Sequence, residues 1–183
     1  MHLSFKRETY YRTTMKIGLD VDEVLASWMV AWAKRYNFKE MPKSWKFDPL
    51  ILERFDIMRE TGELDEFYLN LDRLIDPSEL PFEPHCYITS RPVETDVTAE
   101  WLRRNGFPPK RVYTVPLRTS KVAAAKNARV DIFVDDAYHN FLDLNENGIK
   151  TYLLTRDHNI QFDVGDLRLN SLKDIPLIVE KII

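Results

Sequence analysis

Four aspartates stand in two tight groups: Asp20 and Asp22 in "GLDVDEVLASW", Asp135 and Asp136 in "FVDDAYHN". Each group follows a short apolar run that reads as a buried strand, where one uncompensated carboxylate is already costly. If the two strands run parallel, both groups project from the same edge of the sheet. The carboxylates would then repel strongly unless some were protonated or a cation sat among them. A hard cation that takes oxygen ligands, Mg2+ above all, resolves the conflict. An Asp at a strand end can also serve as a helix cap, and a lone pair of aspartates is common. Two such groups at the ends of two strands are harder to assign to capping.

Two further segments supply groups suited to a phosphoryl ligand. "ITSRP" places Thr89 and Ser90 at the end of another apolar run, where a hydroxyl and neighbouring backbone N–H groups can hold an anionic oxygen at a helix start. The simpler function of that segment is a helix cap followed by an early Pro. Lys121, in "RTSKVAAAK", opens an Ala-rich helix; solvation is the default for such a Lys, yet carboxylates and a phosphate at one edge call for a fixed cation. A carboxylate attacks a phosphate dianion poorly until cations cancel their repulsion. A leaving alkoxide also needs a proton, a contribution on the order of 10²- to 10⁴-fold. Asp22 beside Asp20 meets that need, and a halide leaving group would not require it.

The elements that position these residues are read from periodicity. Short continuous apolar runs recur as "KIGLD", "HCYITS", "RVYTV", "VDIFVDD" and "IKTYLLT", the pattern of strands covered on both faces in a parallel sheet. Helical patterns lie between them, including "PVETDVTAEWLRRNG", which ends at Gly106, and "AYHNFLDLNENG", which ends at Gly148. Strand alternating with helix gives an α/β, Rossmann-like core of three layers. The interval 28–82 breaks the rhythm: it is rich in aromatics and acids, with helix-like stretches at 24–37, 49–61 and 64–75 and no clear strand. It reads as a small helical cap inserted after the first strand, over the carboxyl ends where ligands bind in open α/β sheets. The expected organisation is a polar, mobile extension at 1–14, a core formed by 15–27 with 83–183, and the cap at 28–82.

The motifs "DVDEVLA", "ITS", "SK" and "VDD" occur in order between Lys16 and Thr155, and the set resembles the haloacid dehalogenase-like phosphohydrolases, within them the 5'(3')-deoxyribonucleotidase-like group. The resemblance implies a parallel-sheet core with a C1-type cap. It implies Asp20 as the nucleophile and Asp22 as the general acid and base, with Thr89, Ser90 and Lys121 around the phosphoryl group. Mg2+ would be held by Asp20, Asp22 through its carbonyl, Asp135 and Asp136. Trp28, eight positions after the nucleophile, matches an aromatic of the base pocket, although Trp28, Trp32 and Tyr36 also form an ordinary helix stripe. Trp45, Phe47, Phe67 and Tyr68 are further aromatics of the cap, and "LLTRDHN" matches a late segment in which His158 and Asn159 read as structural. Two positions depart from the pattern. Glu23 stands where Gly is common, which tells against a left-handed backbone there, and Ala137 stands where an Arg can follow the paired aspartates. Arg91 reads as a surface residue, with contact to substrate phosphate or closing of the pocket as the alternatives.

The implied activity is Mg2+-dependent hydrolysis of a (deoxy)nucleoside monophosphate through an aspartyl-phosphate. A sugar phosphate or a polynucleotide end is an alternative substrate, and a nucleotide-binding protein without turnover is a rival of another class. Across 183 residues the formal net charge is −3, which disfavours a broad nucleic-acid surface and a stable nucleic-acid complex. The single Cys86 excludes an internal disulfide, reads as a small core residue and fits a reducing cytoplasm. No apolar run approaches the roughly 18 residues of a membrane span. Monomer and homodimer both remain open.

Overall fold

The structure is a computed structural model that describes residues 15–182. The polar stretch 1–14, expected to be a mobile extension, lies outside the described residues. Strands β1 (Ile17–Leu19), β2 (Cys86–Thr89), β3 (Arg111–Thr114), β4 (Ile132–Asp135), β5 (Thr151–Leu154) and β6 (Arg168–Leu169) form one sheet in the order β3-β2-β1-β4-β5-β6. All of its pairings are parallel.

Continuous apolarity in the strands has a direct structural counterpart. Side chains alternate between faces along a strand, and here both faces are buried. Ile17, Leu19, Tyr87, Ile132 and Val134 join one core, whereas Cys86, Ile88 and Phe133 join the other. Helices α4 (Thr95–Arg104) and α7 (Ile175–Ile182) close the first core through Trp101, Leu102, Ile175 and Val179. Helices α5 (Val122–Ala128) and α6 (Tyr138–Glu146) close the second through Ala124, Ala125, Ala128 and Leu144. The result is the three-layer α/β arrangement. Gly18 is required by packing: a Cβ there would stand 2.8 Å from the Phe133 ring and 2.9 Å from Val130.

The interval between β1 and β2 holds α1 (Trp28–Arg35), α2 (Ile51–Glu60), α3 (Leu64–Leu69) and a 3-10 turn at Pro77–Glu79. The helices are shorter than the sequence pattern suggested at two places. Residues 24–27 are not helical, because Val21 O accepts the N–H groups of Leu25 and Ala26 in a tight turn. Residues 70–75 run as a connection instead, with Ala26 and Arg73 bridged antiparallel, Ser27 N–H donating to Asp72 O (2.8 Å) and Leu74 N–H donating to Leu25 O (2.7 Å). The chain's passage from the sheet to the helices and its return are thus tied side by side. The two-residue β6 and the helix α7 lie beyond the elements that the sequence pattern had suggested.

Candidate active site

The strand order reverses direction between β1 and β4, which places a crevice outside the carboxyl ends of the central strands. Asp20 follows β1, and its N–H donates to Val134 O on β4 at 2.9 Å. That register sets it next to Asp135, the last residue of β4, with Asp136 immediately beyond. Oxygens of Asp20, Asp135 and Asp136 all lie within 4.8 Å of one another, and the three residues are buried.

Lys121, at the start of α5, reaches into this group and is buried, contrary to the solvated default. Its Nζ lies 2.7 Å from Asp20 Oδ2 and 2.7 Å from Asp135 Oδ2. Burial alone would lower its pKa, but Asp135 and Asp20 outweigh that and hold the ammonium above its ordinary value. The Phe133 ring, seated over Gly18, lies 5.7 Å from Nζ and adds a cation–π contact. Asp135 is further fixed by the Ala137 N–H (2.8 Å) and by Asn140 Nδ2, 3.2 Å from each oxygen. Asn140 was not anticipated, although it lies one helical turn beyond the paired aspartates, where a side chain can turn back toward them.

Asp136 is held differently. Its Oδ2 accepts from Trp45 Nε1 (2.8 Å) and pairs with His158 Nε2 (2.7 Å), while its Oδ1 is buried without a hydrogen-bond partner. Asn159 braces the same turn by donating to Asp136 O and Leu154 O, both at 2.8 Å. Burial raises the pKa of Asp20 well above the usual carboxylate range; Lys121 opposes this, and Asp135 and Asp136 add to it. Burial raises Asp136 also, with the His158 hydrogen bond opposing. Burial would lower His158, yet its hydrogen bond to Asp136 raises it. Three packed carboxylates, two of them paired with Lys121 and the third with an orphaned oxygen, form a hard-oxygen set that fits a divalent cation. The Asp22 carboxylate stands outside that cluster, so three side chains gather where four were expected.

Asp22 pairs instead with Arg91. Nη2 donates to Oδ1 at 2.6 Å and Nε to Oδ2 at 3.0 Å. The Arg91 side chain has no exposed surface, which corrects the expectation of a surface Arg: Tyr68 of α3 and Trp101 of α4 close over it, their rings 4.8 and 5.6 Å from its Cζ. Glu23 corrects a second expectation, for its φ is +56°, in the left-handed region. The cost of that backbone is offset locally: Glu23 N–H donates to Ala26 O, its carboxylate accepts from Met29 N–H (2.6 Å), and Arg156 Nε donates to Glu23 O (2.5 Å). Nothing in a Glu at this position signals such support.

Asp20, Asp22, Thr89, Ser90 and Lys121 line one cavity of about 750 Å³ with Trp28, Trp45, Phe55 and Tyr68 from the helical interval. Thr89 Oγ1 is buried without a hydrogen-bond partner. Trp28 is 2 % exposed, stacked on Trp32 at 4.9 Å and donating Nε1 to Tyr68 Oη at 3.2 Å, so core packing takes most of its surface. Trp45 is half-buried and 5.3 Å from Trp28. A second cavity of about 320 Å³ lies beside Arg73, Asp76, Glu79 and Lys173, whose charges pair among themselves. No helix among the described residues is long and apolar enough to cross a membrane.

No protein-family model and no curated protein matches the sequence. Solved structures do match by shape. An L-2-haloacid dehalogenase superposes with a TM-score of 0.60 at 11% identity, over 92% of this chain and 100% of its own. The L-2-haloacid dehalogenase from Xanthobacter autotrophicus, with chloropropionic acid covalently bound, gives 0.59 at 11%, over 93% and 100%. A haloacid dehalogenase-superfamily hydrolase of subfamily IA from Geobacter sulfurreducens gives 0.54 at 12%, over 90% and 96%. Its six-stranded parallel sheet, its helical layers and these likenesses give this chain the fold of the haloacid dehalogenase-like hydrolases.

Proposed function

We propose that this chain is a Mg2+-dependent phosphomonoesterase that hydrolyses a nucleoside monophosphate, most naturally a deoxynucleotide. The observation that carries the reading is the juxtaposition of Asp20, bound to Lys121 beside Asp135 and Asp136, with Asp22 two residues on and lining the same cavity. The expected neighbours of a carboxylate nucleophile are cations that cancel its repulsion from a phosphate dianion. Asp20, Asp135, Asp136 and the Asp22 carbonyl would hold Mg2+, which supplies charge neutralisation and orientation of the phosphoryl group.

An Asp20 oxygen attacks phosphorus, the ester P–O bond breaks, and its electron pair leaves on the alcohol oxygen, which takes a proton from Asp22. Water then attacks the aspartyl-phosphate and gives a proton to the Asp22 carboxylate. The P–O bond to Asp20 breaks and returns its carboxylate, so an ester and water become an alcohol and inorganic phosphate. Lys121 keeps its contact with Asp20, while the unpartnered Thr89 hydroxyl and Ser90 hold phosphoryl oxygens. Trp45, Ile51, Leu52 and Phe55 offer an apolar wall suited to a flat ring.

The test is phosphate release from a panel of deoxynucleotides, ribonucleotides, sugar phosphates and 3'-phosphorylated oligonucleotides, with halide release from a 2-haloacid as control, with and without Mg2+. Release from nucleotides that requires Mg2+ and disappears in Asp20→Asn is expected. Undiminished release by Asp20→Asn, or no release from any ester, overturns the reading.

A further inference from the structure

We propose that Arg91 is a positioning residue: it aims the Asp22 carboxyl at the cavity so that this group can serve the leaving alcohol. The inference rests on the phosphomonoesterase reading and concerns how its proton donor is held. Arg91 follows Thr89 and Ser90 directly, so the loop that lines the phosphoryl subsite also carries the side chain that grips Asp22.

The geometry distinguishes gripping from substrate binding. Nε and Nη2 form a fork on the two Asp22 oxygens at 3.0 and 2.6 Å, and Nη1 points to Thr98 Oγ1 at 3.4 Å. Tyr68 and Trp101 lie against the guanidinium, and no part of the side chain meets solvent. Arg91 is absent from the cavity lining, whereas Asp22 belongs to it and retains 10% exposure of its side chain. A guanidinium sealed on these sides has no free edge for a phosphate. A planar fork does fix both the rotation and the tilt of a carboxylate, which a Lys would not. Each Asp22 oxygen keeps a second lone-pair direction outside the fork, through which a proton can pass to the ester oxygen.

The role predicts a dependence on the leaving group. An alkoxide needs a well-aimed proton donor, whereas p-nitrophenolate leaves without one, so losing the aim slows phosphoryl transfer to Asp20 from the alkyl ester alone, while the later hydrolysis, in which Asp22 takes a proton from water, is shared by both esters. Arg91→Met keeps the length and apolar packing of the side chain and removes the fork. With Mg2+ present, the single-turnover rate of alcohol release from a deoxynucleoside monophosphate should fall on the order of 10²-fold. The single-turnover burst of p-nitrophenolate from p-nitrophenyl phosphate should change by less than about threefold, and added guanidinium ion should restore part of the alkyl-ester rate. Equal losses of the two single-turnover rates would make Arg91 a phosphate contact or a general structural support and overturn the proposal, as would no loss of either.

Arg91→Lys, which keeps the charge without the fork, should show the same selectivity in weaker form and serves if the Met variant does not fold. The aim can also be read without turnover. In a crystal structure of either variant the Asp22 carboxyl should turn from its present direction, and an unmoved carboxyl overturns the proposal. A wild-type protein inert toward both esters would refute the phosphomonoesterase reading, while the crystallographic comparison would still decide whether Arg91 sets the orientation.

Discussion

The buried pair of Asp22 and Arg91 can be tested by stability as well as by turnover. Asp22→Ala leaves a guanidinium with no exposed surface and no counter-charge, because Asp22 is the carboxylate that pairs with it. At about 4 Å and an effective dielectric constant near 20, opposite unit charges attract by about 4 kcal/mol. Removing one partner of a buried pair costs about 3–5 kcal/mol, since the remaining charge keeps its desolvation penalty. For a chain of this size that corresponds to a fall in Tm of about 6–20 °C. Arg91→Met should cost less, about 1–3 kcal/mol, because Asp22 faces the cavity and can regain water. Once Asp22 is gone, Arg91→Met should restore stability, since it removes the stranded charge. Urea unfolding of the wild type, both single variants and the double variant closes a cycle whose coupling should be about 2–4 kcal/mol. Losses that simply add, within about 0.5 kcal/mol, would refute the claim that these residues act as one buried unit.

Three other outcomes follow from the same coordinates. Mg2+ at about 100 times its Kd should stabilise the protein by about 2.7 kcal/mol, and Asp135→Asn should abolish most of that shift in a thermal melt; equal shifts in both proteins would place the ion elsewhere. Burial pushes Glu23 from its ordinary 4.5 up to about 7, so its folded form favours the proton. Its contribution to stability is full below about pH 4.5 and is lost as pH rises through 7, by up to about 3 kcal/mol. Glu23→Gln retains the acceptor for Met29 N–H and should therefore match the wild type at pH 5 and exceed it at pH 8 in metal-free urea unfolding; an equal gap at both pH values would count against this. Cys86 is 1% exposed and burial pushes its thiol up to about 11, so a disulfide reagent at pH 8 should label it only after denaturation; prompt labelling of the native protein contradicts that.

What could be read from the sequence follows from which signals are local. β1, β2, β3, β4 and β5 announce themselves because residues facing both cores are apolar, and Gly106 and Gly148 mark helix ends with φ of +78° and +79°. The gathering of Asp20, Asp135 and Asp136 follows from parallel pairing, since each sits at the carboxyl end of its strand. Other features depend on partners far away in the chain. Arg91 looks like any Arg after a turn until Asp22, Tyr68, Thr98 and Trp101 are assembled around it. Glu23 takes a left-handed backbone only because Met29 and Arg156 support it, and Arg156 is 133 positions away. Trp28 illustrates an ambiguity of pattern: a helix stripe and a pocket wall share the same spacing, and here the residue stacks on Trp32 while still lining the cavity.

The crossings at Ala26 and Arg73 bind the chain's exit from the sheet to its return, stitched by Ser27 to Asp72 and Leu74 to Leu25. The helices between them are also tied to the sheet layers, where Trp101 Nε1 donates to Leu71 O at 2.9 Å and the Tyr68 ring lies against Arg91. Beside the carboxylates the tie is Trp45 Nε1, which donates to Asp136 Oδ2 at 2.8 Å. A cation that takes that Asp136 oxygen competes with the indole for it, so occupancy of the site weakens this one attachment while the others hold.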